Sequence, residues 1–190
     1  MDADFSVELA QDDPVLDFPW TDPDGKLSYF DVKRHPDLIG KIIEAENFPE
    51  LAAFLRTVNS GRSAVESAKC DVWATTDLTA EEEIYGTSHK FASYVDLVFS
   101  SDGRRRSFPI HEDFARCLTD LLRRAPETPA SVETCLRRCF FGGATEVQEG
   151  FYFTVYISGY ANDEATARRN WNMAQTAAAN ALVRLSLQDE

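Results

Sequence analysis

The chain has 190 residues, of which 44% are hydrophobic and 12% aromatic, and its 32 acidic and 19 basic residues give a formal net charge of −13. Such a charge repels a phosphate backbone and an anionic membrane surface, which excludes nucleic acid and membrane as general partners. The length and the hydrophobic fraction suffice for a full core, so we expect one domain over residues 1–190.

Charge is distributed unevenly along the chain. Residues 1–25 contain eight acidic residues and no basic one, whereas residues 103–140 contain eight arginines against five acidic residues. An acidic N-terminal arm over residues 1–33 could bind the basic segment of its own or a neighbouring subunit. The alternative is that water solvates both segments independently.

Signals for secretion, membrane insertion and metal binding are missing from the sequence. The N-terminus is acidic where a secretion signal is basic, and no apolar run approaches the ~18 residues of a membrane helix. We therefore expect a cytoplasmic protein. Cys70, Cys117, Cys135 and Cys139 lack the spacing of a zinc site and are interpreted as ordinary buried thiols, so neither a metal nor a cofactor is predicted.

Residues 1–59 contain short elements. Apolar-rich runs at 14–20 and 26–32 flank a Thr-Asp-Pro-Asp-Gly turn and predict a β-hairpin. Two short helices are predicted over 37–45 and 50–58, within a unit spanning 36–59, because a proline opens each of them at a position where its missing N–H costs nothing.

The pattern of residues 67–187 predicts the same unit twice, and each unit consists of two strands followed by an amphipathic helix. Alternating apolar and polar residues predict the strands, and apolar stripes of helical spacing predict the helices. In chain order the predicted elements are 68–75, 91–99, 110–122, 132–141, 151–157 and 163–187. We expect an α+β fold: an antiparallel sheet of at least four strands built from this ββα-ββα repeat, with the helices packed on one face, preceded by the β-hairpin and the two short helices.

The strand over 132–141 has two possible registers. One register buries Val132 and Leu136 together with Arg138, and the other buries Cys135 and Cys139 together with Arg137. A bulge near the two arginines would resolve the conflict, and so would an arginine that reaches an aspartate on the neighbouring strand. The sequence does not choose between these solutions.

The face of the sheet opposite the helices carries aromatic and charged side chains. Tyrosine and tryptophan offer a large rigid contact area with a polar tip, a composition typical of binding surfaces. The predicted binding residues are Asp71, Trp73, Tyr94, Asp96, Tyr152 and Tyr156, with Arg137 and Arg138 as further polar anchors. The alternative is that the N-terminal hairpin or the short helices simply cover this face.

Acidic residues and a histidine gather at one place, where Glu81, Glu82 and Glu83 precede His89 and Asp96. Such a set could hold a metal or act as an acid–base pair, but the pattern is first that of a capped helical turn with solvated glutamates. No nucleophile, phosphate-binding loop or zinc-protease motif occurs. We therefore predict no catalytic and no metal-binding residues.

Three functions remain open. The first is a non-enzymatic binding or self-association module that uses the aromatic face to bind another protein, most simply a second copy in a homodimer. The second is a small-molecule-binding domain with a pocket between sheet and helices, where Asp71, Asp96 and one of Arg137 and Arg138 anchor the ligand. The third, ranked last, is an acid–base or metal-dependent enzyme.

Overall fold

The computed structural model of the chain describes residues 1–142 and 147–187, except for the side chains of Glu83 and Ile84. Within these residues one sheet is formed by the strands β1 Asp2–Glu8, β2 Leu16–Phe18, β3 Val65–Thr75, β4 His89–Phe99, β5 Ala130–Gly142 and β6 Val147–Ala161. The helices are α1 Ile43–Asn47, α2 Pro49–Val58, α3 Asp102–Arg105, α4 Phe108–Arg123 and α5 Glu164–Ser186. Short 3₁₀ turns cover Pro36–Lys41 and Glu82–Tyr85. The fold is α+β.

The sheet is mixed. Its strands lie in the order β1-β5-β6-β4-β3, and β2 pairs with β5 beyond the end of β1. Both β1 and β2 run parallel to β5, whereas the remaining pairs are antiparallel. The prediction of an antiparallel sheet was wrong, and the ββα-ββα repeat is not confirmed. The difference arises from the N-terminal residues, where Ala3 and Phe5 pack into the core and alternate with acidic residues, so that the segment forms a strand.

The helices α4 and α5 pack on one face of the sheet, and α2 packs against α5. Trp171 of α5 has no exposed surface, and its Nε1 donates a hydrogen bond of 2.9 Å to the Oγ of Ser93 in β4. Asp163 begins α5 as its N-cap, accepting a hydrogen bond from the backbone N–H of Thr166 at 2.8 Å. Among the helices that the structure describes, none is long and apolar enough to cross a membrane.

Only the turn end of the predicted β-hairpin is formed. The segment over 14–20 instead contributes Leu16–Phe18 to the sheet as β2, and an isolated bridge between Thr21 and Ser28 connects the two runs. Pairing with β5 buries Leu16 and Phe18 in a small second cluster on the face opposite the helices. That burial stabilises the segment more than an exposed two-stranded hairpin could. The N-terminal segment therefore covers one end of that face.

The register of β5 decides where its arginines lie. Val132 and Leu136 are buried in the main core. Arg137 lies on the opposite face, where its Nε donates to Oε2 of Glu8 in β1 at 2.7 Å. Arg138 donates to the carbonyl oxygens that follow β1. The pairing of β5 with β6 is continuous, so no bulge resolves the conflict. Arg137 instead reaches a neighbouring strand, where its partner is the glutamate Glu8 and not the predicted aspartate.

Candidate functional site

Three aromatic side chains form a row across the face of the sheet that lies opposite the helices, which we call the open face. Trp73 of β3 and Tyr94 of β4 have ring centroids 6.4 Å apart, and Tyr94 and Tyr156 of β6 have centroids 6.1 Å apart. All three side chains are half-buried. These three rings, the aromatic row, were among the predicted binding residues, and they offer one continuous contact surface.

Tyr152 does not belong to the aromatic row. It is 3% exposed and lies in the cluster formed with Leu16 and Phe18 of the N-terminal segment. Burial raises the pKa of its hydroxyl to about 12. The chain itself therefore covers this part of the predicted binding face.

A buried polar network lies beside the aromatic row. The hydroxyl of Thr154 donates to Oδ1 of Asp96 at 2.7 Å, and Nη1 of Arg137 donates to Thr154 Oγ1 at 2.8 Å and to the Tyr156 hydroxyl at 3.2 Å. Burial raises the pKa of Asp96 to about 6, and the hydrogen bond from Thr154 and the charges of Lys69 and Arg137 oppose this rise. The network holds Tyr156 in place and leaves Asp96 little access to solvent.

The glutamates and the histidine singled out in the sequence are not brought together with Asp96. Glu82 forms an ion pair with Lys90 and accepts a hydrogen bond of 3.0 Å from the hydroxyl of Tyr160. His89 begins β4, and Asp96 lies seven residues further along that strand, a separation of ~23 Å in extended chain. The side chain of Glu83 lies outside the described part of the chain. Within that part, no group of three or more His, Cys, Asp or Glu side chains could hold a metal ion.

A cavity of about 430 Å³ lies beside the aromatic row, at the free edge of β3. Four separate segments of the chain line this edge cavity. They are the N-terminal segment over 20–30, the end of the first 3₁₀ turn with the start of α1, β3 itself, and Tyr94 of β4. The lining residues are Trp20, Asp22, Lys26, Leu27, Ser28, Phe30, Lys41, Ile42, Ile43, Glu44, Ser67, Ala68, Lys69, Cys70, Asp71 and Tyr94.

The backbone edge of β3 forms part of the cavity wall. Five consecutive residues, Ser67–Asp71, line the cavity, although side chains of a strand alternate between the two faces of a sheet. Consecutive residues can share one cavity only where the strand presents its edge. Within the described residues β3 pairs with β4 alone, so this edge carries no neighbouring strand. The register shift between Ser67 and Lys69 bends β3 at this place.

A hydrogen bond joins Trp20 of the N-terminal segment to the edge of β3. Nε1 of Trp20 donates a hydrogen bond of 2.5 Å to the carbonyl oxygen of Ala68, and Nζ of Lys69 lies 5.3 Å from the centroid of the Trp20 ring. Trp20 therefore closes one end of the edge.

Two exposed apolar side chains stand at the cavity. Leu27 is 49% exposed and Ile43 is 55% exposed, and they come from two different segments of the chain. Three lysines and three acidic residues line the cavity, so its formal charge is zero although that of the chain is −13. The lining thus places no net charge at the cavity.

Two of the predicted binding residues, Asp71 and Tyr94, line the edge cavity. Trp73 and Tyr156 lie along the aromatic row, Asp96 and Arg137 in the buried network, and Arg138 against the chain after β1. Sequence reasoning missed the opposite wall, including Trp20, Leu27 and Ile43. One signal was present: Leu38, Ile42 and Ala45 form one apolar stripe of the predicted helix over 37–45, and Ile43 lies outside that stripe, which marks it as an exposed apolar residue.

Searches of protein-family models, of curated proteins and of solved structures found no match to this chain.

Proposed function

We propose that this protein is a peptide-binding module, which adds an extended segment of another protein as a strand to the free edge of β3. The observation that carries the proposal is that five consecutive residues, Ser67–Asp71, line one cavity. A strand edge offers backbone donors and acceptors at regular intervals, and an extended peptide is the ligand that matches them.

The dimensions of the site favour a short peptide over a compact ligand. Five residues of a strand span ~16 Å, a length that an extended peptide of about five residues would follow. A volume of about 430 Å³ also lies within the range of small-molecule sites, so a drug-sized ligand is the competing occupant. Strand edges, however, recognise main chains, and a compact molecule would leave most of the edge without a partner.

Leu27 and Ile43 would provide side-chain selectivity. An added strand points alternate side chains to opposite faces, so one set would contact Leu27 and the other Ile43. The balanced charge of the cavity sets no strong preference for acidic or basic peptides. We therefore expect peptides with alternating β-branched or aromatic residues to bind best.

The test uses a displayed library of random heptapeptides, selected on the full chain. The best peptide is synthesised, and its affinity is measured by fluorescence anisotropy for the wild type, Leu27→Asp, Ile43→Asp and Met173→Asp. Met173 is the matched control because it is 50% exposed on α5 and does not line the cavity. We expect about tenfold weaker binding to Leu27→Asp and Ile43→Asp and unchanged binding to Met173→Asp.

Two further peptides distinguish strand addition from other modes of binding. One peptide carries N-methyl groups on every other backbone amide, and the second peptide carries them on the remaining amides. In an added strand only one of these two sets of amides faces β3. We expect one N-methylated peptide to lose binding and the other to keep it. Equal binding of both, or selection of peptides that bind Ile43→Asp as well as they bind the wild type, would contradict the proposal.

Self-association through the aromatic row is the second candidate function. It is supported by the contiguity of Trp73, Tyr94 and Tyr156, whose half-buried rings follow one another across three adjacent strands. Aromatic surfaces of this kind are enriched at protein interfaces. A two-fold dimer would place the row of one protomer against the row of its partner.

A further inference from the structure

A shallow depression of about 580 Å³ lies between the C-terminal ends of α2 and α5. Three arginines line it, and we call the place the arginine site: Arg56 in the last turn of α2, Arg62 in the turn after that helix, and Arg184 in the last turn of α5. No aspartate or glutamate is present among the described residues that line it. In a chain with 32 acidic residues against 19 basic ones, this is a local reversal of charge.

Several other arginines of the chain pair with acidic residues. Arg105 pairs with Glu66 at 2.6 Å, and Arg168 pairs with Glu50 at 2.8 Å. By contrast, Arg56, Arg62 and Arg184 form no ion pair with any residue that the structure describes. Their guanidinium groups remain available for a ligand.

Helix dipoles do not account for the arginine site. A cation in the last turn of a helix stabilises it by about 0.3–1 kcal/mol, which would explain one arginine at the end of each helix. It does not explain Arg62, which lies beyond the end of α2. A helix dipole also gives no reason for arginines from two different helices to line the same depression.

The lining suits an oxyanion joined to an organic group. A guanidinium offers paired N–H donors that match two oxygens of a phosphate, and three of them would neutralise a multiply charged group. Ser60 and Asn180 add a hydroxyl and an amide, while Val183 and the 42% exposed Leu187 provide an apolar wall. A long polyanion or an anionic membrane would extend beyond the three arginines onto a chain of net charge −13, where it is repelled.

We propose that the arginine site binds the phosphate groups of a small phosphorylated molecule. It lies on α2 and α5, which do not line the edge cavity, and the proposal does not depend on peptide binding.

Isothermal titration calorimetry with pyrophosphate, and separately with inorganic phosphate, tests the proposal on the full chain. The variants are Arg62→Gln and Arg184→Gln, both at exposed positions. Arg169→Gln is the matched control, because it removes the same charge from an exposed position of α5 that lies 15 residues, or ~22 Å, before Arg184. Unfolding midpoints without ligand verify that all variants fold.

We expect pyrophosphate to bind the wild type and Arg169→Gln alike, and to bind Arg62→Gln and Arg184→Gln about tenfold more weakly or worse. Raising the salt concentration from about 20 mM to about 200 mM is expected to weaken binding. Absence of binding, or equal weakening by Arg169→Gln, would overturn the proposal. Retention of the protein on phosphatidic acid vesicles, without binding of either free phosphate, would overturn the assignment to a small molecule.

Discussion

Gly159 of β6 and Trp171 of α5 are in direct backbone contact. A Cβ atom at position 159 would lie closer to the Trp171 nitrogen and the Ala167 carbonyl oxygen than real Cβ atoms come to any atom, and 2.8 Å from the carbonyl carbon of Asn170. The absence of a side chain at 159 thus sets how closely α5 approaches the sheet. That approach lets the side chain of Trp171 reach Ser93 in β4, the strand next to β6.

Gly159→Ala is expected to lower the free energy of unfolding by about 3 kcal/mol, because backbone atoms of α5 cannot move aside as the end of a flexible side chain could. Gly40→Ala is the matched control, since no atom lies within 4 Å of a Cβ at that position. Urea denaturation measures both variants. A midpoint for Gly159→Ala close to that of Gly40→Ala would show that α5 shifts without cost.

His111 makes the free energy of unfolding depend on pH. It is buried beside Phe99 and Phe153, with ring centroids 4.7 and 4.9 Å away, and burial lowers its pKa to about 4. The unfolded chain takes up this proton near pH 6.5, so stability is complete above that pH and is lost as the pH falls toward 4. We expect His111→Gln to flatten the stability curve between pH 6.5 and 4. Urea denaturation midpoints of the wild type and His111→Gln, measured at each pH, test this expectation. The exposed His35→Gln is the control.

Asp96 changes the free energy of unfolding with pH in the opposite direction to His111. Its raised pKa of about 6 means that the folded chain holds the proton to a higher pH than the unfolded chain, in which the pKa is 3.8. Its contribution to stability is therefore greatest below pH 3.8 and is lost as the pH rises to 6. Asp96→Asn is expected to raise the free energy of unfolding above pH 6 by about 1–3 kcal/mol, whereas exposed Asp71→Asn should leave it unchanged. A destabilised Asp96→Asn at pH 7 would show that the network needs the charge.

The ion pair between Glu8 and Arg137 joins the N-terminal strand to the sheet. Arg137 is 8% exposed, so Glu8→Gln leaves a buried guanidinium with weaker partners. We expect a loss of about 1–2 kcal/mol, reduced from the value for a fully buried pair because Glu8 is partly solvated. Asp4→Asn is the control, since Asp4 is exposed on the same strand, and equal midpoints for the two variants would refute the expectation.

The second candidate function predicts a dimer in solution. Tyr156→Glu would place a charge in the aromatic row of both protomers, so we expect the wild type to sediment as a dimer and this variant as a folded monomer. Met173→Asp, which alters an exposed side chain of α5, should sediment like the wild type. A wild type that stays monomeric at high concentration would eliminate self-association and leave the row to a peptide or another ligand.

The sequence by itself determined the α+β class and where much of the secondary structure lies. The two-residue period of β4 and β6 also placed Tyr94 and Tyr156 on one face, since side-chain direction in a strand is a local property. Local periodicity further distinguished the apolar stripe of α5, including Trp171, from its exposed face.

Only the tertiary structure decided which edges of the sheet are occupied. β1 and β2 pair with β5 across more than 100 residues of chain, while no strand within the described residues occupies the outer edge of β3, and no local pattern encodes either outcome. The edge cavity exists because Trp20 and Ile43 come from segments that meet at β3. Likewise, the arginine site forms because α2 and α5 end side by side, so its charges converge only when the helices pack.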